Sequence, residues 1–141
     1  MHFKHESKIR VRYAEADRMG YVYYGNYAMY FETARTEMLR SLGYTYKGWE
    51  DSGIILPVRE MNIRYHSPAF YDDLLTVHTL ITEIPSARIT FNHEVYNEQG
   101  VKLCSGSIVL VFINSETRRP TRAPEEFLQA LEAASSTTPN E

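Results

Sequence analysis

Apolar and polar side chains alternate from Lys4 to Tyr13, with Ile9, Val11 and Tyr13 on one side and Lys8, Arg10 and Arg12 on the other. A period of two over this length predicts a half-buried strand. After a loop from Ala14 to Gly25 the period changes. Apolar residues recur at Tyr27, Tyr30, Phe31, Ala34, Met38 and Leu42, the spacing of one helix face, and Gly43 stands where a left-handed residue ends a helix. Glu32, Arg35 and Glu37 fall on the opposite face, and Glu32 and Arg35 are spaced to pair across a turn. Tyr44 to Ser52 reads as loop. Ile54 to Tyr65 reads as strand, with Pro57 marking an edge or a bulge because proline cannot donate to a ladder. Turn residues at Ser67-Pro68 and Tyr71-Asp72-Asp73 lead into a strand from Leu74 to Ile84. Beyond Pro85-Ser86-Ala87, residues Arg88 to Tyr96 alternate again, Ile89, Phe91, His93 and Val95 against Thr90, Asn92, Glu94 and Tyr96. Asn97-Glu98-Gln99-Gly100 closes a hairpin into Val101 to Ile113, where Gly106 predicts a bulge or a close backbone approach. Thr117 to Pro120 is loop, and a short terminal helix starts within Ala123 to Leu128.

The order is strand, helix, then four strands. Strands joined by tight turns are antiparallel. A helix that is apolar around much of its circumference needs cover on more than one side, and a curved antiparallel sheet wrapped around it supplies that cover. The expected fold class is therefore α+β, in one domain over residues 1–134. Residues 135–141, Ser-Ser-Thr-Thr-Pro-Asn-Glu, predict a disordered tail. An exposed strand edge and an aromatic excess predict self-association.

Composition narrows the function. The 141 residues carry a formal net charge of −3, and no face reads as strongly basic, which argues against a nucleic-acid partner. No run reaches the length of a membrane span and the N-terminus has no apolar leader, so a cytoplasmic protein is expected. The single cysteine, Cys104, excludes an internal disulfide and sits in a strand-like run, where a buried thiol is packing material. None of the five histidines has metal-ligand spacing with another ligand type, so no metal is expected and scaffold roles are preferred for all five. That includes His66, whose neighbour Ser67 points to the opposite face of a strand. Eleven tyrosines suit pockets and interfaces, where an apolar ring carries a wet tip.

The chemistry concentrates in Asp17 to Tyr27. One carboxylate precedes the helix by a few residues, and the loop between holds Gly20, Gly25 and a series of tyrosines. A helix N-terminus offers unpaired N–H groups and partial positive charge. A carboxylate facing that end can act on a carbonyl that those N–H groups polarise. The glycines let the backbone approach a ligand closely. Taken alone, Asp17 is also compatible with an ordinary turn residue.

The run Tyr13-x-x-x-Asp17-x-x-Gly20-x-Val22-Tyr23-Tyr24-x-Asn26-Tyr27 resembles the signature of the 4-hydroxybenzoyl-CoA thioesterase family of hotdog-fold proteins. The continuation from Tyr30 to Leu39 resembles its YbgC-type acyl-CoA thioesterase branch. The segment Val58-Arg59-Glu60-Met61-Asn62-Ile63, followed by Tyr65, Pro68-Ala69 and Asp72-Asp73, resembles later strands of the family and the turn joining them. The likeness covers roughly Lys8 to Pro120. It implies a hotdog fold and an acyl-CoA hydrolase in which Asp17 is the catalytic carboxylate, as nucleophile or general base. The backbone N–H of Tyr24 polarises the thioester carbonyl. YbgC-type members often carry histidine where this chain has Tyr24, so the backbone rather than the side chain is expected to matter there. Tyr13, Gly20, Arg59 and Arg88 are the candidate substrate contacts. Tyr13 is equally compatible with a core or interface position. Arg88, Arg118, Arg119 and Arg122 are candidates for the phosphates of CoA. No cofactor is expected, since CoA is part of the substrate. Acyl-CoA or an acyl carrier protein is the expected partner, in a homodimer or homotetramer. A non-catalytic hotdog module that binds acyl-CoA or the carrier protein is the alternative reading. A dehydratase is less favoured, because the motif holds no histidine to accompany the acid.

Overall fold

The computed structural model describes residues 2–135. The tail expected over 135–141 therefore falls, beyond Ser135, outside the described residues. The main sheet has five strands: β1 (Phe3–Arg10), β3 (Val58–Tyr65), β4 (Leu74–Ile81), β5 (Arg88–Tyr96) and β6 (Lys102–Val111). They are ordered β1-β4-β5-β6-β3, every neighbouring pair antiparallel. The long helix α1 (Asn26–Ser41) packs against β1 and β4 and turns Tyr27, Tyr30, Phe31, Ala34, Met38 and Leu39 inward. Gly43 ends it with φ of 89°. The Gly43 N–H donates to Arg40 O at 3.0 Å and the Tyr44 N–H to Leu39 O at 2.9 Å. That paired arrangement satisfies two carbonyls the helix itself leaves open.

The alternation read from the sequence matches β5, where Ile89, Phe91, His93 and Val95 are buried in turn. Gly106 is a point of close approach. A Cβ there would sit 2.7 Å from Phe31 Cε2 and 3.1 Å from Asn62 O. The absent side chain thus sets how near α1 lies to the sheet.

Five expectations need correction. The first strand stops at Arg10, and Tyr13 lies in a 3-10 turn, Tyr13–Glu15, that swings the chain off the sheet edge. The expected loop from Tyr44 to Ser52 contains a short helix, α2 (Tyr46–Asp51). Thr45 caps it by accepting the Gly48 N–H at 2.9 Å, and Trp49 anchors it among Tyr44, Phe112 and Phe127. Tertiary anchoring overrides a sequence too short to show a helical period. The strand expected over Ile54 to Tyr65 is broken at Leu56-Pro57. Ile54–Ile55 forms β2 instead, paired with β7 (Ile113–Asn114) in a separate ribbon. The strand expected to reach Ile84 ends at Ile81. The helix α3 (Glu125–Ala133) places Phe127 and Leu131 against the core.

The fifth correction concerns Glu32 and Arg35. Glu32 stays in solvent, whereas Arg35 lies beside Phe31 and Ala34 on the sheet side and is only 4% exposed. Its Nη1 lies 3.5 Å from His93 Nε2, and His93 Nδ1 lies 3.2 Å from Thr79 Oγ1. The His93 ring stacks on Phe31 at 4.6 Å. Burial first, and then the Arg35 charge, lower the His93 pKa to about 3, so this histidine is neutral. Cys104 is buried as expected, and burial pushes its thiol up to about 12. It supplies no thiolate nucleophile. Among the described residues, no helix is long and apolar enough to cross a membrane.

Candidate active site

The loop between the 3-10 turn and α1 folds around the Asp17 carboxylate. Asp17 Oδ1 accepts the N–H of Met19 at 2.9 Å and of Tyr21 at 3.2 Å. The Asp17 N–H donates to Tyr21 O at 2.7 Å, and the Gly20 N–H donates to Asp17 O at 3.0 Å. Gly20 takes the left-handed φ of 82° that this tight reversal needs. Oδ2 makes no hydrogen bond among the described residues. One oxygen is held, and the other is free to act. The loop is also clipped to the turn after β3, through the Val22 N–H to Ala69 O at 2.8 Å and Tyr21 beside Phe70.

Helix α1 begins at Asn26 with Gly25 as its N-cap, so Tyr24 stands one residue outside the helix end rather than within its first turn. The Tyr24 carbonyl accepts the Tyr65 hydroxyl at 3.0 Å. Its N–H has no acceptor among the described residues. Such a donor, held next to the positive end of α1, is suited to a developing oxyanion.

Asp17 and Tyr24 line one cavity of about 290 Å³, together with Tyr27, Tyr65, His66 and Ser67. A larger hollow of about 570 Å³ lies over polar residues such as Asn62, Asn92 and Ser107, and neither Asp17 nor Tyr24 reaches it. The smaller cavity joins aromatic walls to the Asp17 carboxylate, whereas the acid on the larger one, Glu94, is paired with Lys102 at 2.7 Å. Burial pushes the Tyr27 hydroxyl up to about 12 and also raises Tyr65. Both phenols stay protonated at neutral pH, so they serve as donors and walls rather than bases. Asp17 is the acidic side chain on the cavity wall.

The other candidates are placed elsewhere. Gly20 turns the loop beside Asp17 without lining the cavity. Tyr13 is 80% exposed, its ring edge-on to Tyr71 at 5.4 Å, and is not on the cavity wall. Arg59 follows Val58 at the far end of β3, and Arg88 pairs with Val111 at that same end of the sheet, whereas Tyr65 pairs with Cys104. Six residues of strand separate Arg59 from Tyr65, roughly 20 Å. Within one chain, neither arginine lines the cavity.

Tyr65, His66 and Ser67 were not expected at the site. The backbone N–H groups of His66 and Ser67 both donate to Leu103 O, at 2.8 and 3.2 Å, and His66 Nε2 lies 2.9 Å from Ser105 Oγ. The one signal in the sequence was the Ser67-Pro68 turn. It shows that the strand ends there but not that it ends against the Asp17 loop.

A five-stranded antiparallel sheet carrying one long helix, with a carboxylate loop leading into that helix, defines a hotdog-fold protein. Residues 11–131 match the thioesterase-like superfamily, and the chain belongs to that family. The acyl-CoA thioesterase YbgC of Haemophilus influenzae is 31% identical over 87% of this chain and 90% of its own. The acyl-CoA thioester hydrolase YbgC of Escherichia coli is 28% identical over 85% of this chain and 90% of its own. Among solved structures, the DHNA-CoA thioesterase from Staphylococcus aureus superposes with a TM-score of 0.86 at 34% identity, covering 92% of this chain and 89% of that one.

Proposed function

We propose that the chain hydrolyses acyl-CoA thioesters to a free acid and CoA. The carrying observation is that Asp17 and Tyr24 line one aromatic-walled cavity, while one Asp17 carboxylate oxygen and the Tyr24 N–H have no hydrogen-bond partner among the described residues. The thioester carbonyl oxygen accepts the Tyr24 N–H, and the carbonyl carbon faces Asp17. Oδ2 then attacks that carbon, the C–S bond breaks, CoA leaves as thiolate, and water hydrolyses the resulting anhydride. Alternatively, Oδ2 takes a proton from a water that attacks in its place. A thioester is already activated, so neither route calls for a metal or a cofactor, and CoA itself belongs to the substrate.

A second copy completes this reading. Strand β3 is an edge of the sheet, and it exposes Val58 (52%), Met61 (46%) and Tyr65 (51%). Long apolar edges invite another strand. Two copies paired antiparallel along β3 would bring Arg59 of the partner subunit toward the Tyr65 end of the first copy. That offers cations for the CoA phosphates, which one chain alone keeps away from its own cavity. A thioester on a carrier protein would be handled by the same carboxylate.

The test is thiol release from benzoyl-CoA and from straight-chain acyl-CoAs. Asp17→Asn is expected to lower kcat by about 10²-fold or more, the usual share of a positioned acid or base. Near-full activity in Asp17→Asn overturns the catalytic role given to Asp17. A wild type inactive on every thioester favours the binding module.

A further inference from the structure

Glu15 stands two residues before Asp17, is only 7% exposed, and does not line the cavity. Nevertheless it is bonded on both its backbone and its side chain to elements that carry the site. Its carbonyl oxygen accepts the Tyr23 N–H at 2.9 Å and the Asn26 Nδ2 at 2.9 Å. Those two residues flank Tyr24 and Gly25. Its carboxylate Oε1 accepts the Tyr30 hydroxyl at 3.0 Å and the Arg12 N–H at 2.8 Å, while Oε2 accepts Arg12 Nη2 at 3.1 Å and Nε at 3.2 Å. Tyr30 lies one turn into α1 and is 3% exposed.

Asp17 and the Tyr24 N–H belong to opposite ends of one loop. We propose that Glu15 is the positioning residue that fixes their separation, by clamping the start of the loop to the first turns of α1. The inference rests on the hydrolase reading above and deepens it. Burial alone would disfavour the Glu15 charge, but the Arg12 N–H, the Tyr30 hydroxyl and the Arg12 guanidinium outweigh that cost and hold the carboxyl below its ordinary range. The clamp is therefore ionised at neutral pH, and its bonds to Arg12 and Tyr30 are charge-assisted. The Arg12 side chain is 77% exposed and replaceable by water, whereas the Tyr30 bond is buried. The Tyr30 link is thus the one that carries the geometry. A clamp of this kind acts on the approach of reacting groups, where a misplacement of about 1 Å costs about 10²-fold in rate. It does not act on the affinity for the remote nucleotide.

The experiment compares Glu15→Ala, Glu15→Gln, Tyr30→Phe and Asp17→Asn in the full chain, with kcat and KM measured for benzoyl-CoA and hexanoyl-CoA well below the melting temperature. Glu15→Ala is expected to lower kcat by about tenfold or more with KM within about twofold of wild type. Glu15→Gln keeps an acceptor for the Arg12 N–H and the Tyr30 hydroxyl, and is expected to recover most of the loss. Tyr30→Phe is expected to lower kcat by about threefold at constant KM, and to add nothing in the Glu15→Ala background. Wild-type kcat in a folded Glu15→Ala, or a rise in KM alone, overturns the proposal and leaves Glu15 a purely structural residue. If Glu15→Ala does not fold, Tyr30→Phe decides: unchanged kcat overturns the proposal, and a lower kcat at constant KM upholds it. Asp17→Asn separates the two readings. Loss there with none in the Glu15 and Tyr30 variants refutes the clamp alone, and no loss there refutes the catalytic role of Asp17 on which the clamp rests.

Discussion

The histidine beside Arg35 makes stability depend on pH in a calculable way. His93 has a pKa of about 3 in the folded chain against an ordinary 6.5, through burial first and the Arg35 charge second. An unfolded chain at pH 5 protonates this ring, and the folded one does not. The proton bound only by the unfolded state favours unfolding, so stability is full above pH 6.5 and falls as pH drops toward 3. Between pH 8 and pH 5 the loss from this one residue is RT ln(1 + 10^1.5), about 2 kcal/mol. His5 and His78 are also lowered, by burial first, and slope the same way. The assay therefore needs a variant. His93→Gln removes the titration while keeping an oxygen acceptor for Arg35. Urea unfolding of wild type and variant at pH 8 and pH 5 gives both slopes by linear extrapolation. His93→Gln is expected to be less stable at pH 8, because the stack on Phe31 is lost, but to lose about 2 kcal/mol less than wild type on going to pH 5. A variant whose pH 8 to pH 5 loss equals that of wild type refutes the reasoning.

Two further outcomes can be measured alongside the hydrolysis and clamp experiments. Gly106→Ala drives a methyl to 2.7 Å from the Phe31 ring and 3.1 Å from the Asn62 carbonyl. It is expected to destabilise by about 1–3 kcal/mol in a thermal melt, with part of the loss recovered by Phe31→Leu. Met61→Lys puts a charge on the exposed face of β3. Sedimentation is expected to shift toward a single copy, with a fall in acyl-CoA turnover, if β3 is the seam between copies.

Much of this architecture was legible because it is periodic. The alternation of β5 and the apolar stripe of α1 each predicted the face that is buried, and Gly43 ended its helix where its conformation allowed. The breaks in the pattern had other causes. Helix α2 holds only six residues and exists because Trp49 finds a socket between Phe112 and Phe127. The inward turn of Arg35 was hidden because a charged residue on a helix reads as solvent-facing until a polar partner in the sheet is known. That Asp17 and Tyr24 fall on one cavity was legible because they are near in sequence and joined by a resembling motif. That Tyr65, His66 and Ser67 join them was not, since their place depends on strand register across some forty residues.

The strand order has a consequence for how the chain comes to be folded at all. Strand β1 pairs with β4, whose residues lie some seventy positions later, and α1 packs on both. Everything emerging from the ribosome before Leu74 therefore waits for its sheet partners, including a helix whose apolar side still lacks the cover of β4. Closing such distant contacts is slow and leaves sticky surface exposed meanwhile. The cavity wall at Tyr65, His66 and Ser67 is held by Leu103 and Cys104 of β6, so the candidate site is among the last parts to become ordered. A nascent or truncated chain that ends before β4 would carry Asp17, Tyr24 and Tyr65 and still lack the strands that hold them around one cavity.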